Sequence, residues 1–325
     1  MKKYLVLLLA LTMLVSCCTG CGKTSGAETD LENTLFSCGL LPVRDDETFQ
    51  YGYMNQKGRF VIPPQFQDAE RFSPCGLAAV KLNGKWGYIS TNGEFAFEPQ
   101  YDFGRSFAAN GLAAMKSGEK WGYMNQEGKV VIEPQFDFAR DFRGNVASVQ
   151  LGEYYGLIDE KGSWLYEPVY KYVYFSDLYG LFALRKEGEY SYVDLTGKAV
   201  EKPSVIGDYE QEGNLTRFQQ DGKWGLRGKN GEIVAEPIYD YIDGEAHCGR
   251  ITFDGPGGIG FFDETGKVVI PGQFGPLALF EIHIENPFFD DGYAVVSTRE
   301  GYGVIDVDGN YIIGPSRKLR IPDGY

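Results

Sequence analysis

Histidine is nearly missing from this chain: there are two in 325 residues, His247 and His283. A Ser-His-Asp or Cys-His relay would have to run through one of them, and neither stands near a nucleophile elbow or similar context. His247-Cys248 reads as part of a turn, not as a catalytic or metal pair. Basic residues are also scarce, 31 Lys and Arg against 45 Asp and Glu, for a net charge of −14. Nucleic acid demands a basic footprint on phosphate, which argues against that partner class; the plain consequence of the acidity is solubility. The ligand spacing of calcium loops is missing, and three cysteines at like positions bring no second ligand set for zinc. No metal and no cofactor is therefore expected. No apolar run reaches the roughly 20 residues that a membrane helix needs.

The longest such run, Tyr4 to Val15, follows Lys2 and Lys3 and has the layout of a secretion signal. Leu14-Val15-Ser16-Cys17 then resembles the lipobox of bacterial lipoproteins, in which the cysteine receives diacylglycerol. Cys21 is the rival site, but Cys18 stands where lipoboxes carry an aliphatic residue, so Cys17 is preferred. The expected organisation is a signal over 1–16, a lipid-anchored flexible tether over 17–35 and a folded module over 36–325. Removing the signal leaves 29 basic against 45 acidic residues, −16. Lipid attachment would place the module in water outside the cytoplasm, held to the envelope membrane.

What the chain has in abundance is Gly, 43 residues, with 22 Tyr and 22 Phe, and they recur in register. Lys85-Trp86-Gly87-Tyr88-Ile89 returns as Lys120-Trp121-Gly122-Tyr123-Met124. Aligned on that pair, eight units appear, anchored at Tyr51, Trp86, Trp121, Tyr155, Tyr190, Trp224, Ile259 and Tyr302. A fixed period of this length marks stacked supersecondary units. Each unit reads as three short antiparallel strands. A Gly-Leu-Ala-Ala run leads through a tight turn such as Asn83-Gly84 to the Trp-Gly strand, and a second turn such as Asn92-Gly93 leads to a β-branched strand such as Val130-Val131-Ile132. Proline, as at Pro99 and Pro134, is expected to stop the pairing because it has no N–H for the ladder. An aromatic-Asp pair follows in Tyr101-Asp102, Phe136-Asp137 and Tyr239-Asp240, read as turn caps.

Trp86, Trp121 and Trp224 are expected to be core plugs, with Gly87, Gly122 and Gly225 permitting close approach of a neighbouring strand or ring. The pattern Gly-Leu-Ala-Ala-Val-Lys, Gly-Lys-Trp-Gly-Tyr and Gly-Lys-Val-Val-Ile-Glu-Pro-Gln-Phe-Asp resembles the WG-repeat (KWG-repeat) family of bacterial proteins, over roughly Gly39 to Pro315. That resemblance implies an all-β repeat and an envelope or interaction role, and it brings no active-site motif. Two all-β architectures fit: a β-propeller-like ring of eight meanders, three-stranded or four-stranded if Arg140-Asp141-Phe142 and its equivalents add a strand, or an open β-solenoid.

Function is sought where the repeat fails. One irregularity is Gly275 to Asp291, holding Phe280, His283, Phe288 and Phe289; the other is the aromatic stretch holding Tyr170, Tyr172, Tyr174 and Tyr179. Insertions in repeat proteins project from one face, and aromatics populate interfaces. The reading is a non-enzymatic module binding an extracytoplasmic protein, glycan or cell-wall component. The alternative is an envelope hydrolase whose carboxylates gather at the centre of the array. Cys38 and Cys75 precede equivalent glycines, and whether they pair is left open by spacing alone.

Overall fold

The computed structural model describes residues 34–45, 47–176, 180–201, 215–244, 246–275, 289–316 and 319–320. Among these there is no helix, only strands and turns. They form eight antiparallel sheets, six of four strands and two of three. The second sheet sets the pattern, with Asp68–Ala69, Leu77–Leu82, Lys85–Ser90 and Phe95–Tyr101 side by side in that order.

The short first strand comes from the tail of the preceding sequence unit. Phe103–Gly104 follows Tyr101 after a single residue yet pairs with Leu112–Ser117 of the next sheet. The fourth strand near Arg140 is thus Phe138–Ala139, and Arg140-Asp141-Phe142 lies beyond it. The expectation for proline is corrected as well. Trp86 pairs with Tyr101, beyond Pro99, while Tyr88 pairs with Phe97, and the register shifts between the two. Pro99 sits in a bulge, where no ladder bond asks for its missing N–H.

That bulge explains the glycine. A Cβ on Gly87 would lie 2.6 Å from the Phe97 carbonyl oxygen, 2.7 Å from the Pro99 nitrogen and 2.9 Å from the Glu98 carbonyl carbon. The close approach is by backbone of the adjacent strand.

A meander of this size cannot bury its apolar faces alone. Burial here occurs between sheets. Seven core clusters each join two neighbours, such as Tyr53, Ile62 and Phe66 with Ala78, Val80 and Ile89, or Trp121, Tyr123 and Ile132 with Ala147, Val149 and Ile158. One of the seven joins the ends of the chain: Leu41, Val43 and Met54 of the first sheet pack with Val304 and Ile313 of the last. Leu35, read from sequence as the end of the tether, is fully buried there. The strand Leu319–Arg320 then pairs with Arg44 and Asp45, supplying the first sheet's short strand from the far end of the chain. Each sheet keeps its own open edges, and the first and eighth sheets are neighbours, as a ring requires and an open solenoid does not; among the described residues no core cluster joins the fifth sheet to the sixth.

Candidate functional sites at a charged cluster and between the fourth and fifth sheets

Immediately after the short strands several positions carry charge: Glu70-Arg71, Arg105, Arg140-Asp141 and Asp243. Arg105 Nη1 lies 3.9 Å from Asp141 Oδ2, while Asp141 Oδ1 and Arg105 Nε are buried without a hydrogen-bond partner. Burial pushes the Glu70 carboxyl up to about 7, nearby Asp141 adds to the rise, and Arg105 opposes it. Asp141 is also raised by burial, against the pull of Arg105, Arg143 and Arg140. Its side chain nevertheless keeps 42 % of its surface, so it faces an opening surrounded by protein, not close-packed core. Glu70 belongs to the second sheet and Asp141 to the fourth. Asp291, before the eighth sheet, feels Arg71 of the second. These groups skip a sheet along the chain yet sense each other, so the segments after the short strands converge in the fold.

The sign of the Glu70 effect follows from its raised value. The folded protein holds that proton more tightly than the unfolded chain, so this group makes stability fall as pH rises from about 4.5 to about 7. Glu70→Gln is expected to raise stability at pH 8 by about 1–2 kcal/mol, discounted for its partial exposure, and to leave it unchanged at pH 4. Urea midpoints at the two pH values check this; equal midpoints for the two proteins at pH 8 would refute the buried charge.

The second site lies where the fourth and fifth sheets meet. Trp86, Phe103, Trp121 and Phe138 form a ladder of tilted and edge-on rings, with centroids 4.8, 5.4 and 5.6 Å apart. Arg105 lies over the ladder, 5.5 Å from the Trp121 ring. Continuing in register, the next rungs are Tyr155, Tyr172 and Tyr190, and there the ladder opens. Trp86 is 1 % exposed, whereas Tyr172 is 60 % and Tyr190 49 % exposed. With Arg140, Tyr155, Tyr174 and Arg185 they line a depression of about 270 Å³. The Arg185 guanidinium lies 5.8 Å from the centroid of the Tyr172 ring and 5.7 Å from that of Tyr190.

The family model described as WG containing repeat matches residues 51–86, 86–121, 121–155, 155–190 and 225–251, together just over half of the chain. The chain is a WG-repeat protein. No curated protein matches it in sequence. Among solved structures it is similar to dihydro-heme d1 dehydrogenase NirN in complex with DHE, at 13 % identity and a TM-score of 0.46, over 92 % of this chain and 76 % of that one. It is also similar to a eukaryotic initiation factor, at 10 % and 0.47, over 86 % of this chain and 96 % of that one. AztD from Citrobacter koseri gives 11 % and 0.39, again over 86 % and 96 %. The architecture of this WG-repeat protein rests on its own strand pairing.

In the WG repeat each letter of Lys-Trp-Gly-Tyr has a structural task. Lys85 Nζ donates to Asp102 Oδ1 at 2.5 Å and Lys120 Nζ to Asp137 Oδ1 at 2.6 Å; Lys223 pairs with Asp240 in the same way. The other Asp102 oxygen accepts the Gly118 amide, and that of Asp137 the Gly152 amide, each at 2.7 Å. These bonds hold both exposed carboxylates below their ordinary range, the lysine contact foremost. The aspartates close hairpin turns. In the next sheet the charges are exchanged, with Lys171 donating to Glu153 at 3.1 Å. Tyr53, Tyr88 and Tyr123 donate their hydroxyls to the carbonyls of Glu70, Arg105 and Arg140 at 2.8, 2.9 and 2.7 Å, latching each sheet to the next. Trp86 and Trp121 are buried, while Trp224 packs half-buried against the junction of the sixth and seventh sheets.

Of the binding candidates, Tyr172 and Tyr174 line the depression. Tyr170 does not; it packs against the neighbouring core, edge-on to Tyr166 at 6.4 Å. Phe289 packs against the cluster shared by the first and eighth sheets. Tyr179, Phe280, His283 and Phe288 lie outside the described residues, as do Cys17 and Cys21 with the signal and most of the tether. Cys38 and Cys75 are both free thiols; Cys38 Sγ lies 3.4 Å from the Ser73 carbonyl, and Cys75 Sγ lies 3.1 Å from Ser73 Oγ. Sequence reasoning missed Arg140, Arg185, Tyr155 and Tyr190 as site residues. The available signal was tyrosine standing at the Trp and Phe rungs of the repeat. Glu70 and Asp141 carried a weaker one, charge at the position that leads into a buried Phe.

Proposed function

We propose that this protein is a lipid-anchored interaction module of the bacterial cell envelope, held outside the cytoplasm through Cys17, and that it binds a protein, glycan or cell-wall component without catalysis. A β-repeat fold is suited to a binding or interaction module. The observation that carries the reading is the opening of the aromatic ladder between the fourth and fifth sheets, where side chains that are core plugs elsewhere stand exposed around a concave surface. The lipobox-like Leu14-Val15-Ser16-Cys17 supports the anchor.

Two measurements test it. Radiolabelled palmitate should enter the wild-type chain and be lost in Cys17→Ala; retention moves the anchor to Cys21. Glycan arrays and cell-wall pull-downs should show capture that falls by about tenfold or more in the double variant Tyr172→Ala/Tyr190→Ala, the scale of a lost interface hot spot. Unchanged capture would remove the depression from the reading. A variant lacking residues 276–290 tests the insertion in the same assay.

The hydrolase reading keeps one observation in its favour: Glu70, with a carboxyl near neutrality, has the protonation of a general acid. Arg105 close to Asp141 answers it with a structural ion pair. Release of reducing ends from cell-wall material that disappears in Glu70→Gln would decide for the hydrolase; none is expected from the wild type.

A further inference from the structure

We infer that the depression between the fourth and fifth sheets takes an acidic glycan, a chain of pyranose rings bearing carboxylates. The inference rests on the binding-module reading and names the ligand class of that same site. Tyr172, Tyr174 and Tyr190 are each about half exposed or more, and their rings are electron-rich on the face. The C–H-lined face of a pyranose is apolar and faintly positive, and it lies flat on such a ring while its hydroxyls remain at the rim.

Charge narrows the class. The chain carries 45 acidic residues, yet the lining of this depression holds two arginines, Arg140 and Arg185, and no carboxylate. Among the described residues neither guanidinium has a hydrogen bond or ion pair, although Asp141 feels the charge of Arg140; each lies beside a ring, Arg140 by Phe138 and Arg185 between Tyr172 and Tyr190. A guanidinium beside aromatic rings can meet a carboxylate with two parallel hydrogen bonds from its planar fork. Size narrows it further. About 270 Å³ is below the usual range of drug-sized pockets, so it holds one or two sugar rings of a longer chain that runs on across the surface. A nucleic acid offers the same stacking, but its phosphates call for a basic footprint that this acidic chain lacks.

The probe is hexagalacturonate, with its fully methyl-esterified form and a glycerol-phosphate polymer as controls, titrated calorimetrically against the whole mature protein. The expected result is binding of the acid at least about tenfold tighter than of the ester, the worth of a charge-assisted hydrogen-bond pair. Arg185→Gln should weaken binding of the acid by about tenfold and of the ester by less than about twofold. Tyr172→Ala should weaken both alike. Both side chains are exposed, and an unchanged near-ultraviolet spectrum establishes that each variant is folded. Equal affinity for acid and ester, or no binding of the acid, overturns the acidic class while leaving the module reading to the wall pull-down. Equal binding of the glycerol-phosphate polymer makes the depression a general anion site and overturns the sugar. Release of reducing ends from the probe would instead sink the non-catalytic reading itself.

Discussion

Gly87→Ala should destabilise the protein by about 3 kcal/mol or more, the upper range for overpacking a site that cannot yield. The added methyl would meet three backbone atoms of the adjacent strand at 2.6–2.9 Å, and backbone held in a bulge between paired residues has nowhere to go. The comparison is Gly84→Ala in the preceding hairpin turn. Gly84 has φ of +80° with open space around its Cβ position, so alanine there pays only the left-handed conformation, about 1–2 kcal/mol. Urea unfolding of the two variants separates crowding from conformational strain. Equal midpoints would mean that the bulge relaxes, and the account of why glycine follows tryptophan would fail.

Trp86→Ala should cost about 3–5 kcal/mol, as large-to-small changes of buried aromatics do. Trp86 is 1 % exposed, packed on Phe103 at 4.8 Å and set among Ala79, Phe107 and Met115. Tyr190 occupies the same position in the repeat and is 49 % exposed. Tyr190→Ala should therefore cost under about 1 kcal/mol, the surface range, while reducing ligand capture. The pair makes one position of the motif a matter of folding in the second sheet and of binding in the fifth. Comparable losses of stability would show that the fifth sheet packs its tyrosine as the others pack tryptophan, and the open ladder would no longer support a site.

The individual sheet was largely legible in the chain. Turn glycines at Asn83-Gly84 and Asn92-Gly93, apolar runs between them and a repeat of Lys-Trp-Gly-Tyr specify three antiparallel strands by local conformational preference alone. The role of proline was misread because a strand can continue past it through a bulge, and the bulge is visible only in the pairing of Trp86 with Tyr101. Glu70 and Asp141 were not legible as neighbours, since they stand two sheets apart in the chain and come within electrostatic reach only in the fold. Arg185 was missed for a related reason. It lies in a degenerate unit, and its meaning comes from the rings it stacks on.

By itself the sequence determined the repeat, the sheet as its unit, the turns between strands and which aromatics are bulky enough to plug a core. Those are properties of short stretches, set by backbone freedom at glycine, by alternating polarity and by side-chain volume. Only the tertiary structure decided that the last strand joins the first sheet, with Leu319–Arg320 completing it. It alone decided that charges from different sheets sense each other, and that equivalent rungs are covered at Trp86 but open at Tyr190. Covering depends on what the next sheet places over a ring, and that is a contact between distant parts of the chain which no local pattern encodes.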